Sequence, residues 1–288
     1  MTISDEWVEW TRSKLKRGTA ITKIREGLKN EGFVEKDIKY ALKKTLAKSA
    51  YKQNVQSAAV KKKRWGLDPS TDYHSLAHPT LTRNADGKSV ISLGSAELQL
   101  FVIPNFLDVE QCNTLIEIIR TNAHLSRVDG YQRLSDIRSS RTCSLAVHDH
   151  PFVAEVNHAI SRTLGLSLRW SEVSQGQWYE PGQQYKPHLD YFPPGSPEHA
   201  QFVSAQGQRS WTFMVYLNKT EHGGGTHFTQ LNKTLIPEQG LAVCWNNLRE
   251  SGEPNPFSEH AGLPVETGSK YIITKWFRDR GEGSPFTQ

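Results

Sequence analysis

The stretch Tyr185-Lys186-Pro187-His188-Leu189-Asp190-Tyr191-Phe192 carries the side chains best suited to chemistry in this chain. In an extended strand successive side chains alternate faces, so His188 and Asp190 point the same way and can bite one metal ion together. A third ligand must come from elsewhere, and His260, in His260-Ala261-Gly262-Leu263-Pro264-Val265, is the residue taken here. His199, His222 and His227 compete for that place. His227 falls in a tight glycine turn, and none of the three is followed at ten residues by a lysine on a strand. Two imidazoles and one carboxylate on one face of an octahedron leave three positions open, the facial triad that suits non-haem Fe(II). Ten residues after His260, Lys270 opens a run in which Lys270, Ile272, Thr274 and Trp276 share one face. A cation among apolar neighbours is costly unless an anion meets it.

Such residues need a rigid scaffold, and the chain supplies one after Leu166. Short strands bounded by Gly, Pro and Asn are predicted around Trp170, then over Gln177 to Tyr179, Tyr185 to Asp190, Trp211 to Leu217, Thr226 to Phe228, Leu241 to Trp245 and Lys270 to Phe277. Many short strands with turn signals between them indicate a β-sandwich or barrel. Ahead of them stands an apolar run, Leu98 to Ile103. Asp108 with Gln111 then reads as a helix cap with its return partner, leading a helix that carries Leu115, Ile116 and Ile119 inward. A second helix starts at Pro151 with Val153, Val156, Ile160 and Leu164 on one side. Between the helices, Ser126 to Thr142 is polar, arginine-rich and aperiodic, as a mobile lid would be.

The N-terminal part is of another kind. Residues 1–64 hold 17 Lys+Arg and 7 Asp+Glu, a net +10, which leaves −5 for the rest of a chain whose total is +5. Three short helices are predicted between residues 4 and 47. Their apolar stripes are Trp7, Val8, Trp10 and Leu15, then Ile21, Ile24 and Leu28, then Ile38, Ala41, Leu42 and Leu46, with breaks at Gly18 and Gly32. A core that small suits an interaction module, vaguely like ubiquitin-associated bundles. An acidic or nucleic-acid-associated partner is expected from the charge, and a protein partner from exposed apolar residues such as Trp7 or Phe33; a merely soluble lysine-rich face is the bland alternative. The division drawn is a helical module over 1–48, a basic and polar linker over 49–90 that includes Lys61 to Arg64, and a catalytic domain over 91–288. Cys112, Cys143 and Cys244 make neither a C-x-x-C pair nor a disulfide framework. With a polar N-terminus and no apolar run near the ~20 residues of a membrane span, the expected location is cytoplasmic, with no membrane contact.

Taken in order, H-x-D at His188, G-G-x-T-x-F at Gly223 to Phe228, H-A-G-x-P-V at His260, G-x-K ending at Lys270, and K-W at Trp276 resemble the prolyl 4-hydroxylase branch of the Fe(II)/2-oxoglutarate dioxygenases. The resemblance covers roughly Leu98 to Arg280. It implies an α+β protein with a double-stranded β-helix, the cupin-like jelly-roll, flanked by helices. It also implies hydroxylation of proline in a protein or peptide, procollagen-proline 4-dioxygenase-like, with 2-oxoglutarate and O2 consumed, succinate and CO2 released, and ascorbate as reductant. Fe²⁺ with one aspartate is +1 and 2-oxoglutarate brings −2, so the site wants one cation, and Lys270 is the candidate for the distal carboxylate. Tyr179 and Thr212, the latter in Arg209-x-x-Thr212, match co-substrate contacts, and Trp276 matches a pocket wall. Arg141 matches an arginine of the family's R-T-S signature near the peptide groove, although Cys143 stands in the serine position; Tyr185 is taken with it on the substrate side. The triad fixes chemistry and not substrate, so another residue or a small molecule remains open as target. A binding protein on a degenerate jelly-roll is disfavoured by the intact H-x-D, His and Lys set.

Overall fold

In the computed structural model the described residues are 5–16, 21–42, 45, 65, 67–81, 90–125, 138–146 and 151–287. They divide into two compact units, Met1–Arg64 and Trp65–Gln288. The first holds helices α1 (Asp5–Lys16), α2 (Ile21–Asn30) and α3 (residues 35–42) around Val8, Ile24, Leu28, Ile38, Ala41 and Leu42. Gly32, at φ +84°, turns the chain out of α2, a conformation open to glycine at little cost. Phe33 is buried in this core beneath Trp7, edge to face, so it is not the exposed contact its sequence suggested. Lys61 to Arg64 lie outside the described residues, as does Gly18.

The second unit is a jelly-roll. Its large antiparallel sheet runs β1 (Ile91–Ser92), β2 (Leu100–Ile103), β11 (Ala242–Asn246), β7 (Arg209–Tyr216), β14 (Lys270–Arg278), β5 (Ser174–Tyr179), β4 (Arg141–Leu145), β3 (His124–Leu125). A smaller sheet runs β10 (Lys233–Leu235), β9 (Thr226–Phe228), β12 (His260–Gly262), β6 (Tyr185–His188), and β8 (His222–Gly223) pairs with β13 (Val265–Thr267). Two helices, α5 (Val109–Asn122) and α6 (Pro151–Leu164), supply apolar side chains to the core on one side of the large sheet. Asp108 caps α5 as expected, its carboxylate accepting from the Gln111 amide while the Gln111 side chain accepts from Asp108 N–H. Cys112 replaces half-buried Ile116 in the inward stripe, beside Leu115 and Ile119.

Period-two alternation sorts the two longest strands. On β7, Trp211, Phe213 and Val215 enter the helix-side core, and on β14 Tyr271, Ile273 and Phe277 do the same. The alternate residues, Met214 and Tyr216 with Ile272, form the inner core with Phe228, Val243 and Trp245. Both faces are covered, so these strands are buried along nearly their whole length. Burying each such large apolar side chain contributes roughly 1.5–3 kcal/mol.

Three expectations differ from the structure. Leu67, Tyr73 and Leu76, within the stretch expected to be a linker over 49–90, belong to the helix-side core; a short helix, α4 (Tyr73–Ala77), carries the last two. The Tyr73 hydroxyl donates to buried Asp279 at 2.8 Å, and the Trp211 indole donates to the Leu76 carbonyl at 2.9 Å. Of the supposed lid, residues 126–137 lie outside the described set, but Arg141 to Leu145 form an inner strand of the large sheet, with Cys143 and Leu145 turned into the core. Around Trp170 the chain makes a 3-10 turn, Leu168–Trp170, rather than a strand, capped by Ser167. Cys112, Cys143 and Cys244 are free and buried. No helix among the described residues is long and apolar enough to cross a membrane.

A chain beginning at Trp65 keeps Leu67, Tyr73 and Leu76, whereas one beginning at residue 82 loses all three and leaves Asp279 without its phenol. The shorter chain is expected to be less stable by at least about 5 kcal/mol, a fall in Tm of more than about 10 °C. Calorimetry on the two chains checks this, and coincident melting would return residues 67–81 to the status of a tether.

Candidate active site

Strands β6 and β12 pair so that His188 and His260 sit directly opposite each other, ring centroids 4.3 Å apart. Asp190 lies two residues beyond the end of β6, buried, with Oδ1 4.0 Å from His188 Nε2. One donor atom from each of the three falls within 4.8 Å of the others. The imidazoles are oriented by the backbone: Nδ1 of His188 meets the Lys186 carbonyl and Nδ1 of His260 meets the Ser258 carbonyl, each at 2.9 Å. A carbonyl only accepts, so both Nδ1 atoms carry the proton and both Nε2 lone pairs are left for a metal. On the carboxylate, Oδ2 accepts from Thr212 Oγ1 at 2.7 Å, which in turn accepts from Asn247 Nδ2 at 2.8 Å, and Asn247 Oδ1 accepts from the Trp245 indole at 3.0 Å. Oδ1 is the oxygen that remains. Burial, with His260 alongside, pushes the His188 ring down to about 3, keeping it the neutral ligand a metal needs. Burial works against the charge on Asp190, but the two histidines, Arg209 and the Thr212 hydroxyl together hold its carboxyl below the usual range.

From the triad a cavity of about 150 Å³ runs inward to Lys270. Its walls include Tyr179, Met214, Thr226, Trp245, Ile272 and Thr274. Lys270 is buried, and burial alone pushes its ammonium down to about 7; no carboxylate of the described residues pairs with it. Its Nζ lies over two ring faces, 5.3 Å from the Tyr179 centroid and 5.4 Å from that of Tyr216. Gly224, at φ +71°, lies where a Cβ would stand 3.4 Å from Lys270 Cδ, so the G-G-x-T turn leaves the lysine stem its channel.

The expected residues divide. His188, Asp190, His260, Lys270, Tyr179, Tyr185 and Trp276 all line one cavity. Tyr179 donates its hydroxyl to Gln177 at 2.8 Å, and Gln177 donates to Thr274 at 3.0 Å. Tyr185 stacks on the His188 ring, centroids 3.5 Å apart. Trp276 carries the Arg209 guanidinium 3.9 Å over its ring. Thr212 is not a cavity-wall hydroxyl: it is committed to Asp190 and serves the ligand, not the co-substrate. Arg141 is not at the cavity either. It sits on the same face of β4 as Cys143 and Leu145, above Trp178 and 3.4 Å from Glu180. Arg138 is the arginine of this segment that lines the cavity, over Tyr185, bonding Gln175 at 3.0 Å and Ser140 at 2.9 Å. Two arginines three apart lie on opposite faces of an extended chain, and sequence alone offered no way to choose between them. Of the competing histidines, His227 turns outward to Thr234, while His260 is aligned with its neighbour Phe228. Two other cations of these strands are engaged elsewhere: Arg209 grips Glu172 at 2.6 and 2.7 Å, and Lys275, on the far face of β14, donates to the Glu172 carbonyl.

Comparison with known proteins agrees with this geometry. Residues 174–278 match the model of the 2OG-Fe(II) oxygenase superfamily. The chain is 34% identical over 152 residues to prolyl 4-hydroxylase subunit alpha-2 of Gallus gallus, covering 53% of this chain and 28% of that one. It is 30% identical over 187 residues to subunit alpha-1 of the same organism, covering 62% and 36%. The match thus spans about a third of those relatives' own length. In fold, it is similar to a viral collagen prolyl hydroxylase from Paramecium Bursaria Chlorella virus-1 solved with 2OG, at TM-score 0.50 and 24% identity over 62% of this chain and 94% of that one.

The hydrogen bond from Thr212 to Asp190 generates a specific expectation. Thr212→Val keeps the side-chain volume but strips Asp190 Oδ2 of its donor and leaves Asn247 Nδ2 unmet, so iron should bind about 10–100-fold more weakly. The variant should still fold, and Thr212→Ser should recover most of the affinity. Equilibrium dialysis against Fe(II) under anaerobic conditions reads the result; valine binding iron as tightly as threonine would detach Thr212 from the centre.

Proposed function

We propose, from the premise of a 2OG-Fe(II) oxygenase domain over residues 174–278, that this protein hydroxylates a peptidyl proline at its 4-position while converting 2-oxoglutarate to succinate and CO2. The observation that carries the reading is the pairing, in one cavity, of a two-histidine, one-carboxylate set with a buried lysine that no carboxylate of the described residues meets. The donor set suits Fe(II): two neutral imidazole nitrogens and one carboxylate oxygen, with open positions for co-substrates. Bound there, Fe(II) with 2-oxoglutarate and O2 supplies oxidation of an unactivated C–H bond, chemistry that belongs to the cofactor and not to side chains. His188, Asp190 and His260 would hold the iron, and Lys270 would meet the distal carboxylate of the oxo acid. Tyr179 and Thr226 stand beside that carboxylate's path, while Met214, Ile272 and Trp245 keep water from the reacting end. Arg138 and Tyr185, also on the cavity wall, are the residues we assign to the peptide. Proline as the target rests on the names of the curated relatives. Ascorbate is the proposed reductant, and the three free, buried cysteines suit a reducing cytoplasm.

Incubation of the protein with Fe(II), 2-oxoglutarate and proline-rich peptides should give one added oxygen on proline, with succinate formed in equal amount, by mass spectrometry. Consumption of 2-oxoglutarate with oxygen found only on other residues would keep the chemistry and overturn the substrate.

Lys270 makes the co-substrate affinity pH-dependent. With its ammonium pushed down to about 7 in the free site, the lysine is charged below that pH and binds a carboxylate directly. Above it, binding must take up a proton, so KM for 2-oxoglutarate should rise by up to about tenfold per pH unit. Lys270→Arg, always charged, should flatten this rise. Lys270→Ala should raise KM at least about a hundredfold, as loss of one partner of a buried pair costs about 3–5 kcal/mol. Steady-state kinetics from pH 6 to 9 decides, and a flat wild-type profile would mean that another group meets the carboxylate.

For residues 1–64 we propose a recruiting role toward an acidic or nucleic-acid-associated partner, supported by their +10 charge against −5 elsewhere. Deleting them should slow hydroxylation of a macromolecular substrate but not of a short peptide, and salt should abolish the difference if phosphates are the partner. Equal rates for both chains on both substrates would discard recruitment.

A further inference from the structure

We propose a second metal site, for zinc, made by His74, His78 and Glu250 on the outside of the jelly-roll. One donor atom from each lies within 4.8 Å of the others. Glu250 spans the two imidazoles with its two oxygens: Oε2 is 3.3 Å from His74 Nδ1, and Oε1 is 3.2 Å from His78 Nε2. Those separations are long for a charge-assisted hydrogen bond, which settles at about 2.7–2.9 Å. Each imidazole faces a different oxygen, so a rotation of the exposed Glu250 carboxylate would bring one oxygen and both nitrogens around an ion at bonds of about 2.0–2.2 Å. His78 Nδ1 meets the His74 carbonyl at 2.9 Å, so that nitrogen carries the proton and Nε2 is left as the donor. This is the same backbone device that orients both imidazoles of the triad.

The three side chains stand on elements already shaped. His74 lies in α4 and His78 is its C-terminal cap residue, four positions on, with the rings 4.8 Å apart on one side. Asp72 caps the start of that helix by accepting from the Ser75 amide. Glu250 sits on a turn closed by Arg249 N–H to the Glu253 carbonyl at 2.7 Å and Gly252 N–H to the Arg249 carbonyl at 2.8 Å. The same turn touches α4 a second time, since a Cβ at Gly252 would fall 2.6 Å from the Tyr73 ring. An ion here would join the segment before the jelly-roll to the turn that follows β11. Three protein ligands with a water in the fourth place is a common zinc arrangement, and the exposure of all three admits the ion from solvent.

Two histidines and a carboxylate would accept zinc at the triad as well, so the test separates the two sites. Tag-free protein stripped with chelator should take up two zinc ions per chain, and a His188→Ala/His260→Ala protein one. In that background His74→Ala, His78→Ala or Glu250→Gln should each weaken the remaining site at least about tenfold. Should the double variant fail to fold, the same three substitutions in the otherwise native chain should lower the stoichiometry from two to one. Cobalt offered to the second site should give the intense visible absorption of a four-coordinate centre. In the His188→Ala/His260→Ala background, at about a hundredfold excess over its Kd, zinc should raise Tm by about 5–10 °C, and Glu250→Gln should cut this rise to about half or less. Uptake of a single zinc by the native chain, or affinity indifferent to all three substitutions, would overturn the site and leave an ordinary cluster of surface ion pairs.

Discussion

A buried ammonium that no carboxylate among the described residues neutralises is the constraint around which the jelly-roll is arranged. Lys270 opens the strand with the largest share of the sheet's pairing, flanked by β5 and β7. Isolated charge in so dry a place is costly, and the protein answers the cost only in part, with the faces of Tyr179 and Tyr216. The glycine turn at Gly224 leaves space for the lysine stem, and the polar rims of Thr226 and Tyr179 leave room for an acid to arrive. The fold thus carries a standing destabilisation that an arriving carboxylate would relieve.

At the other end of the cavity the order of dependence is reversed, and the protein over-determines each ligand. The imidazoles are aimed by backbone carbonyls two residues before them, Lys186 in β6 and Ser258 in the turn ahead of β12, and the aspartate is anchored by a relay from Trp245 through Asn247 and Thr212. That relay crosses from β11 to β7 before it reaches the carboxylate, so the orientation of one oxygen depends on the register of two strands in the other sheet. Geometry of this kind holds a donor set in place ahead of the ion.

Much of this was legible in the sequence because period-two alternation speaks directly about faces. It put His188 with Asp190, and Lys270 with Ile272, Thr274 and Trp276. The capped start of α5 was legible for a similar reason, since a cap is a local pair of hydrogen bonds. What escaped was non-local. Thr212 lies on the cavity face of β7, yet its hydroxyl is drawn off by an aspartate 22 residues away. The choice of Arg138 over Arg141 depends on where β4 begins, and their polar, arginine-rich neighbourhood hid a strand whose inward residues are only Cys143 and Leu145. Residues 67–81 looked like tether because their few apolar side chains have no periodicity of their own; they fill a core that the strands define.

The pairing of His188 with His260 also says something about the order of assembly. The chain between them runs through β7 to β11, visiting both sheets of the roll before β12 returns to lie beside β6. A nascent or half-folded chain holds at most the H-x-D pair, and two ligands on a flexible strand hold a divalent ion loosely. The third appears only when the roll has closed on itself. An ion that needs all three ligands would therefore be retained by finished molecules and passed over by unfinished ones.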